Sequence, residues 1–174
     1  MQILAISGST RRASTNTSLL HQLARIARPG TSIKVYDRLT DLPIFSPAHE
    51  ADPPATVRAF ISQIETADGV IISSPEYVHA IPGGLKNAID WLVSGEAIIN
   101  KPIALIHASH RGDDMLASLR LVLGTVSTAF NDQIFARFAL VSKSPDEVAT
   151  ILEHAQNAEA LRAYLDRFEG FVTG

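Results

Sequence analysis

Met1-Gln2-Ile3-Leu4-Ala5-Ile6-Ser7-Gly8-Ser9-Thr10-Arg11-Arg12-Ala13-Ser14-Thr15-Asn16-Thr17 is the stretch on which the fold turns. Met1–Ser7 is largely continuous in apolar side chains where a half-solvated strand would alternate, which predicts a parallel strand covered on both faces. From Ser7 the chain turns polar, with one Gly, one Asn, two Arg and six hydroxyl side chains up to Thr17. A helix is predicted next, capped by Asn16 or Thr17. Leu19, Leu20, Leu23, Ile26 and Ala27 recur at helical spacing and stop at Pro29-Gly30.

Outward from this unit the same grammar repeats. Gly69–Ser73 and Pro102–His107 read as buried strands, and Ile33–Tyr36 and Gln133–Val141 as two more. Helical stripes lie between them. Pro54 opens one that carries Val57, Phe60, Ile61 and Ile64; Leu85, Ala88, Ile89 and Leu92 form another; Leu116, Leu119, Leu123 and Val126 a third. A last helix is predicted from Pro145 to about Phe168. Strict alternation of strand and helix predicts one α/β domain over residues 1–174, a doubly wound three-layer sandwich. Five strands favour the flavodoxin-like order 2-1-3-4-5 over a six-strand sheet. The one long irregular connection, Arg38–Pro53, holds Pro43, Pro47 and Pro53 and reads as functional or as a subunit contact.

Composition narrows the function. Across 174 residues the formal charge is −3, too small and of the wrong sign for a nucleic-acid binder with its basic stripe. There is no Cys, which excludes disulfides, Cys-ligated zinc, iron–sulfur clusters and thiol catalysis. No apolar run reaches the ~20 residues that cross a bilayer. The first residues lack the basic flank of a signal peptide. The expectation is a cytoplasmic protein with neither nucleic-acid nor membrane partner.

In a sheet of this kind ligands bind beyond the carboxyl ends of the strands, where strand order reverses. The loop after the first strand offers free helix-start N–H groups and hydroxyls suited to a phosphate, although Ser, Thr and Asn also serve there as plain caps. It is neither a Walker loop nor a Gly-x-Gly-x-x-Gly turn. The loop after the third strand reads Ser73-Ser74-Pro75-Glu76-Tyr77-Val78-His79-Ala80-Ile81-Pro82-Gly83-Gly84-Leu85-Lys86-Asn87-Ala88-Ile89-Asp90-Trp91. Its prolines predict a rigid irregular segment over Glu76–Ile81, and Gly83-Gly84 permits close backbone approach at the next helix. His107 and His110 are separated by three positions without a third ligand, and His79, His21, His49 and His154 lack metal spacing, so no metal is expected. His107 is expected to pack at the strand end and His110 to face a ligand. Arg12 is expected to be solvated.

Gly8-Ser9-Thr10-Arg11-Arg12-Ala13-Ser14-Thr15-Asn16-Thr17-Ser18-Leu19, taken with Pro75-Glu76-Tyr77 and Pro82-Gly83-Gly84-Leu85-Lys86-Asn87-Ala88-Ile89-Asp90-Trp91, resembles the NADPH-dependent FMN reductase family, which includes quinone, chromate and azo-dye reductases. Asp41-Leu42-Pro43-Ile44-Phe45 is similar to that family's segment after the second strand. The resemblance implies FMN phosphate contacts at Ser9, Arg11, Ser14, Asn16 and Thr17. It implies isoalloxazine contacts at Pro75, Glu76, Tyr77 and Val78, largely through backbone, and a third contact around Ser109, Arg111 and Gly112. The chain departs from the pattern at Val78, where the family has Asn, and in His107-Ala108-Ser109-His110-Arg111-Gly112, where the family is rich in glycine. His79, His110 and Arg111 are expected in the substrate region, with Arg111 able to meet the 2′-phosphate of NADPH.

The implied activity passes hydride from NADPH or NADH through FMN to a small acceptor such as a quinone. The flavin carries that chemistry, so no catalytic side chain is expected. The alternatives are a flavin-binding electron carrier and a flavodoxin-like adapter that binds no flavin. A homodimer or homotetramer is also implied, with the Arg38–Pro53 loop and the Trp91 helix as contacts.

Overall fold

The computed structural model describes residues 1–11 and 13–174, so the expectation for Arg12 lies outside the described residues. Strands Gln2–Ser7 (β1), Ser32–Tyr36 (β2), Gly69–Ser73 (β3), Ile103–His107 (β4) and Phe130–Arg137 (β5) form one sheet in the order β2-β1-β3-β4-β5. Every neighbouring pair is parallel, with Ile3 opposite both Ile33 and Gly69, and Val70 opposite Ile103.

Two-residue periodicity sends alternate side chains to opposite faces, and here both faces are apolar. Leu4, Ile6, Val70, Ile72, Ile103 and Leu105 meet helices Ala55–Thr66 (α2), Gly83–Asp90 (α3) and Asp113–Val126 (α4). Ile3, Ala5, Ile71, Ala104 and Ile106 meet Thr15–Arg25 (α1), Pro145–Glu153 (α5) and Ala155–Thr173 (α6). All residues of β3 and β4 are buried, which explains their unbroken apolar runs.

Three boundaries differ from the sequence reading. Ser14, not Asn16 or Thr17, caps α1: its extended backbone lets its hydroxyl accept the Asn16 N–H at 3.2 Å. Asn16 and Thr17 are buried in the first turn and bond to the sheet instead. β5 begins at Phe130 and ends at Arg137, because its ladder partner β4 ends at His107. The predicted C-terminal helix breaks at His154 (φ −60°, ψ 136°), and a second helix starts there with Ala158 N–H donating to the His154 carbonyl. The break lets Val148 and Leu152 on one helix and Leu161, Tyr164, Leu165 and Phe168 on the other pack on the same sheet face.

The Arg38–Pro53 connection contains two short 3₁₀ turns and is pinned from α3. Asn87 accepts the Phe45 N–H at 2.8 Å and donates to the Pro43 carbonyl at 3.0 Å, while Trp91 Nε1–H reaches the same carbonyl at 2.8 Å. Phe45 stands edge-on to the Trp91 ring at 5.1 Å. Asn87 and Trp91 thus have a structural reason to stand four positions apart on one helix face.

Candidate functional site

Beyond the carboxyl ends of β1, β3 and β4 lies a cavity of ≈ 400 Å³. Arg11, Thr15 and Asn16 form one wall; Pro75 and Glu76 a second; His107, Ala108, Ser109, Arg111 and Gly112 a third, with Val141 and Ser142 at the margin. It is larger than the hollow of ≈ 210 Å³ beside β2 and α2.

The first wall is held by its own hydroxyls. Ser7 and Thr17 share a buried hydrogen bond of 2.8 Å, and Ser73 Oγ donates to Asn16 Oδ1 at 2.9 Å. The Arg11 N–H donates to Ser9 Oγ at 3.2 Å, and its guanidinium to the Ala13 carbonyl at 2.9 Å. Ser9, Ser14 and Thr17 are therefore buried scaffold behind the wall, while Arg11 and Asn16 face the cavity. Gly8 has a steric reason: a Cβ there would lie 2.5 Å from Ser74 Oγ. Of the Gly83-Gly84 pair, only Gly84 is closely approached, by Thr10 Cγ2 at 3.2 Å from a built Cβ; Gly83 faces open space.

The segment after β3 is a tight hairpin. Tyr77 and Ala80 exchange both backbone hydrogen bonds, at 3.2 and 3.0 Å. Val78 (φ 52°) and His79 (φ 57°) fill its two central positions in the left-handed region. Val78 is 95% exposed, and Tyr77 is half exposed. Two side chains fasten this hairpin to α4. Glu76 Oε2 accepts the Met115 N–H at 3.1 Å, supplying the cap that Gly112 at the helix start lacks, and His79 Nδ1 meets Asp114 Oδ2 at 2.7 Å. Glu76, His79 and Asp114 bring ligand-type atoms within 4.8 Å of one another, a convergence that spacing in the sequence does not reveal. Their hydrogen bonds to Met115 and to each other already account for the arrangement.

On the third wall His107 is buried, and its Nε2–H donates to the Arg111 carbonyl at 2.6 Å. Nδ1 has no hydrogen-bond partner of normal geometry among the described residues. Burial lowers the imidazole pKa, and the Arg137 guanidinium acts in the same direction; the Arg111 and Ser74 main chain and the Asp113 carboxylate oppose it. The Arg111 N–H donates to Ser9's counterpart on this loop, Ser109 Oγ, at 2.9 Å. His110 is exposed. Asp113, paired with Arg137, is held below the usual carboxylate range chiefly by that hydrogen bond.

The cavity thus gathers Arg11, Asn16, Pro75, Glu76, Ser109, Arg111 and Gly112. Tyr77, Val78, His79 and His110 are not among its lining residues. Sequence reasoning did not single out Thr15, Ala108, Val141 or Ser142. Ser142 enters through a positive φ of 62°, for which its residue type gives no signal.

The model of the NADPH-dependent FMN reductase family matches residues 1–139, which includes all three walls up to the Val141 margin. The chain belongs to that family. It is 38% identical to a quinone reductase of Escherichia coli K12 over 116 residues, 64% of this chain and 61% of that protein. It therefore spans less than two thirds of that reductase's length. A match at 36% identity to an NADH-dependent flavin reductase subunit 2 of Lactobacillus johnsonii covers 87% of this chain and 75% of that one. Among solved structures, the flavoenzyme NAD(P)H:(acceptor) oxidoreductase FerB from Paracoccus denitrificans superposes with a TM-score of 0.82 at 25% identity, covering 99% of this chain and 97% of that one.

Proposed function

We propose that the chain is an FMN-dependent oxidoreductase that takes hydride from NADPH or NADH and delivers it to a quinone or another small acceptor. The observation that carries this reading is the meeting of both family motifs on one cavity, between the start of α1 and the Pro75–Glu76 backbone. Family membership and the names of the quinone and flavin reductases it resembles support it.

The donor set fits FMN. The Arg11 guanidinium, the Thr15 and Asn16 side chains and the N-terminal end of α1 suit a phosphate. Ser9, Ser14 and Thr17 set the shape of that wall from behind. Pro75 and Glu76 offer a backbone edge for the ring system, with Ser109 and Gly112 opposite and the Tyr77–Val78 hairpin beyond the lining. Bound FMN supplies the two-electron hydride chemistry. The protein's part is to orient, to exclude water and to place donors where charge develops. His79, whose Nδ1–H donates to Asp114 Oδ2 at 2.7 Å, together with His110 and Arg111 would meet NAD(P)H and acceptor. Ile44, exposed on the loop after β2, and Val93, exposed just past α3, support assembly of two or more copies.

The test is the visible spectrum of the purified protein with FMN, before and after anaerobic NADPH, then after a benzoquinone. Bleaching followed by recovery is expected. Yellow protein that NADPH and NADH fail to bleach favours the electron carrier, and failure to bind FMN favours the adapter.

A further inference from the structure

We propose that His107 is a positioning residue, whose hydrogen bond to the Arg111 carbonyl sets the Arg111–Gly112 peptide so that the Gly112 N–H serves the cavity's ligand. The inference rests on the FMN reading given above and adds to it a residue outside the family motifs.

The geometry begins with the imidazole. A carbonyl can only accept, so Nε2 carries the proton of this bond, and Nδ1 is left without a hydrogen-bond partner of normal geometry among the described residues. In a planar trans peptide the C=O and the following N–H point in opposite directions. Turning the Arg111 carbonyl onto His107 therefore aims the Gly112 N–H away from the ring. That N–H has no acceptor among the described residues, and Gly112 lines the cavity.

Gly112 is fitted to the same contact. Its φ is +101°, and a Cβ there would stand 2.9 Å from His107 Nε2. Any other residue would strain the backbone and displace the ring together.

Stability alone does not explain a histidine at this place. A buried polar atom without a partner destabilises the fold. An aliphatic side chain of similar size would remove that cost and fill the same space at the end of β4. The imidazole contributes what an aliphatic chain cannot, a donor directed at Arg111.

The experiment compares His107→Leu and His107→Gln with the wild type by FMN fluorescence titration, visible absorption and thermal melting. The Leu variant is expected to melt near or above the wild-type temperature, yet to bind FMN roughly ten-fold more weakly, as loss of one directed donor would give. Its flavin bands should shift. The Gln variant, whose amide N–H can reach Arg111, is expected to restore most of both. Wild type that binds no FMN would remove the reading and this proposal with it. Wild type that binds, with a Leu variant equal to it in affinity and bands, overturns this proposal alone, as does a Gln variant as weak as Leu. Should the Leu variant not fold, ¹⁵N NMR of the wild type decides. An Nδ1-protonated ring, or a Gly112 amide unmoved by FMN, would overturn the proposal.

Discussion

Val78 and His79 occupy the two positive-φ positions of a hairpin that Asn and Gly normally fill. Left-handed backbone costs an ordinary residue about 1–2 kcal/mol, and β-branching makes Val a poor occupant. Val78 recovers little by burial, being 95% exposed. Asn tolerates this conformation without the extra chain entropy of Gly. Val78→Asn is therefore expected to stabilise the protein by about 1 kcal/mol, raising Tm by about 2–4 °C in a chain of this size. Thermal denaturation checks it, and an unchanged or lower Tm would show that the turn is not strained. The same pair explains why the sequence reading gave only a rigid segment here: Val-His is not a turn dipeptide. The tightness comes from Glu76 and His79 reaching α4, contacts that no local pattern encodes.

At the scale of elements, what could be read depended on where the apolar faces were. β1, β3 and β4 are buried on both sides, so continuous runs announced them. β5 is an edge strand with exposed Asp132 and Gln133, and its polar start hid its first residues. The break at His154 was hidden because both helices keep an apolar stripe toward one core. The α3 motif was legible as Leu-Lys-Asn-Ala-Ile-Asp-Trp, but its structural task was not. Asn87 satisfies two backbone groups of the loop after β2, Phe45 N–H and Pro43 C=O. Two such bonds contribute about 0.5–1.5 kcal/mol each. Asn87→Ala is expected to cost about 1–3 kcal/mol in urea denaturation and to speed hydrogen exchange at the Phe45 amide. Protection at Phe45 equal to wild type would mean that Trp91 and the Phe45 ring hold the loop without Asn87.

For the whole molecule, strand order followed from parallel pairing and handedness, which are general, whereas the site's third wall is set by contacts of particular side chains. His107 could be placed at a strand end by sequence, but its bond to Arg111 and its depressed pKa needed coordinates. That pKa makes global stability depend on pH. The ordinary value is 6.5, and burial, the largest cause, lowers it in the folded protein. Between the lowered native value and 6.5 the unfolded chain binds a proton that the native state refuses, so stability rises with pH across that interval. Above 6.5 both states are neutral and the contribution is complete; as pH falls it is lost until the native ring titrates. Asp113 and Glu147 are also lowered from 3.8 and 4.5, and they act with the same sign but only in more acid solution. Urea denaturation from pH 4.5 to 7.5 should therefore give a midpoint that climbs toward neutrality, and His107→Gln, which cannot titrate, should flatten the part of the climb nearest pH 6. A climb of equal steepness in the Gln variant would assign the acid sensitivity to another group and leave His107 without a buried, neutral imidazole.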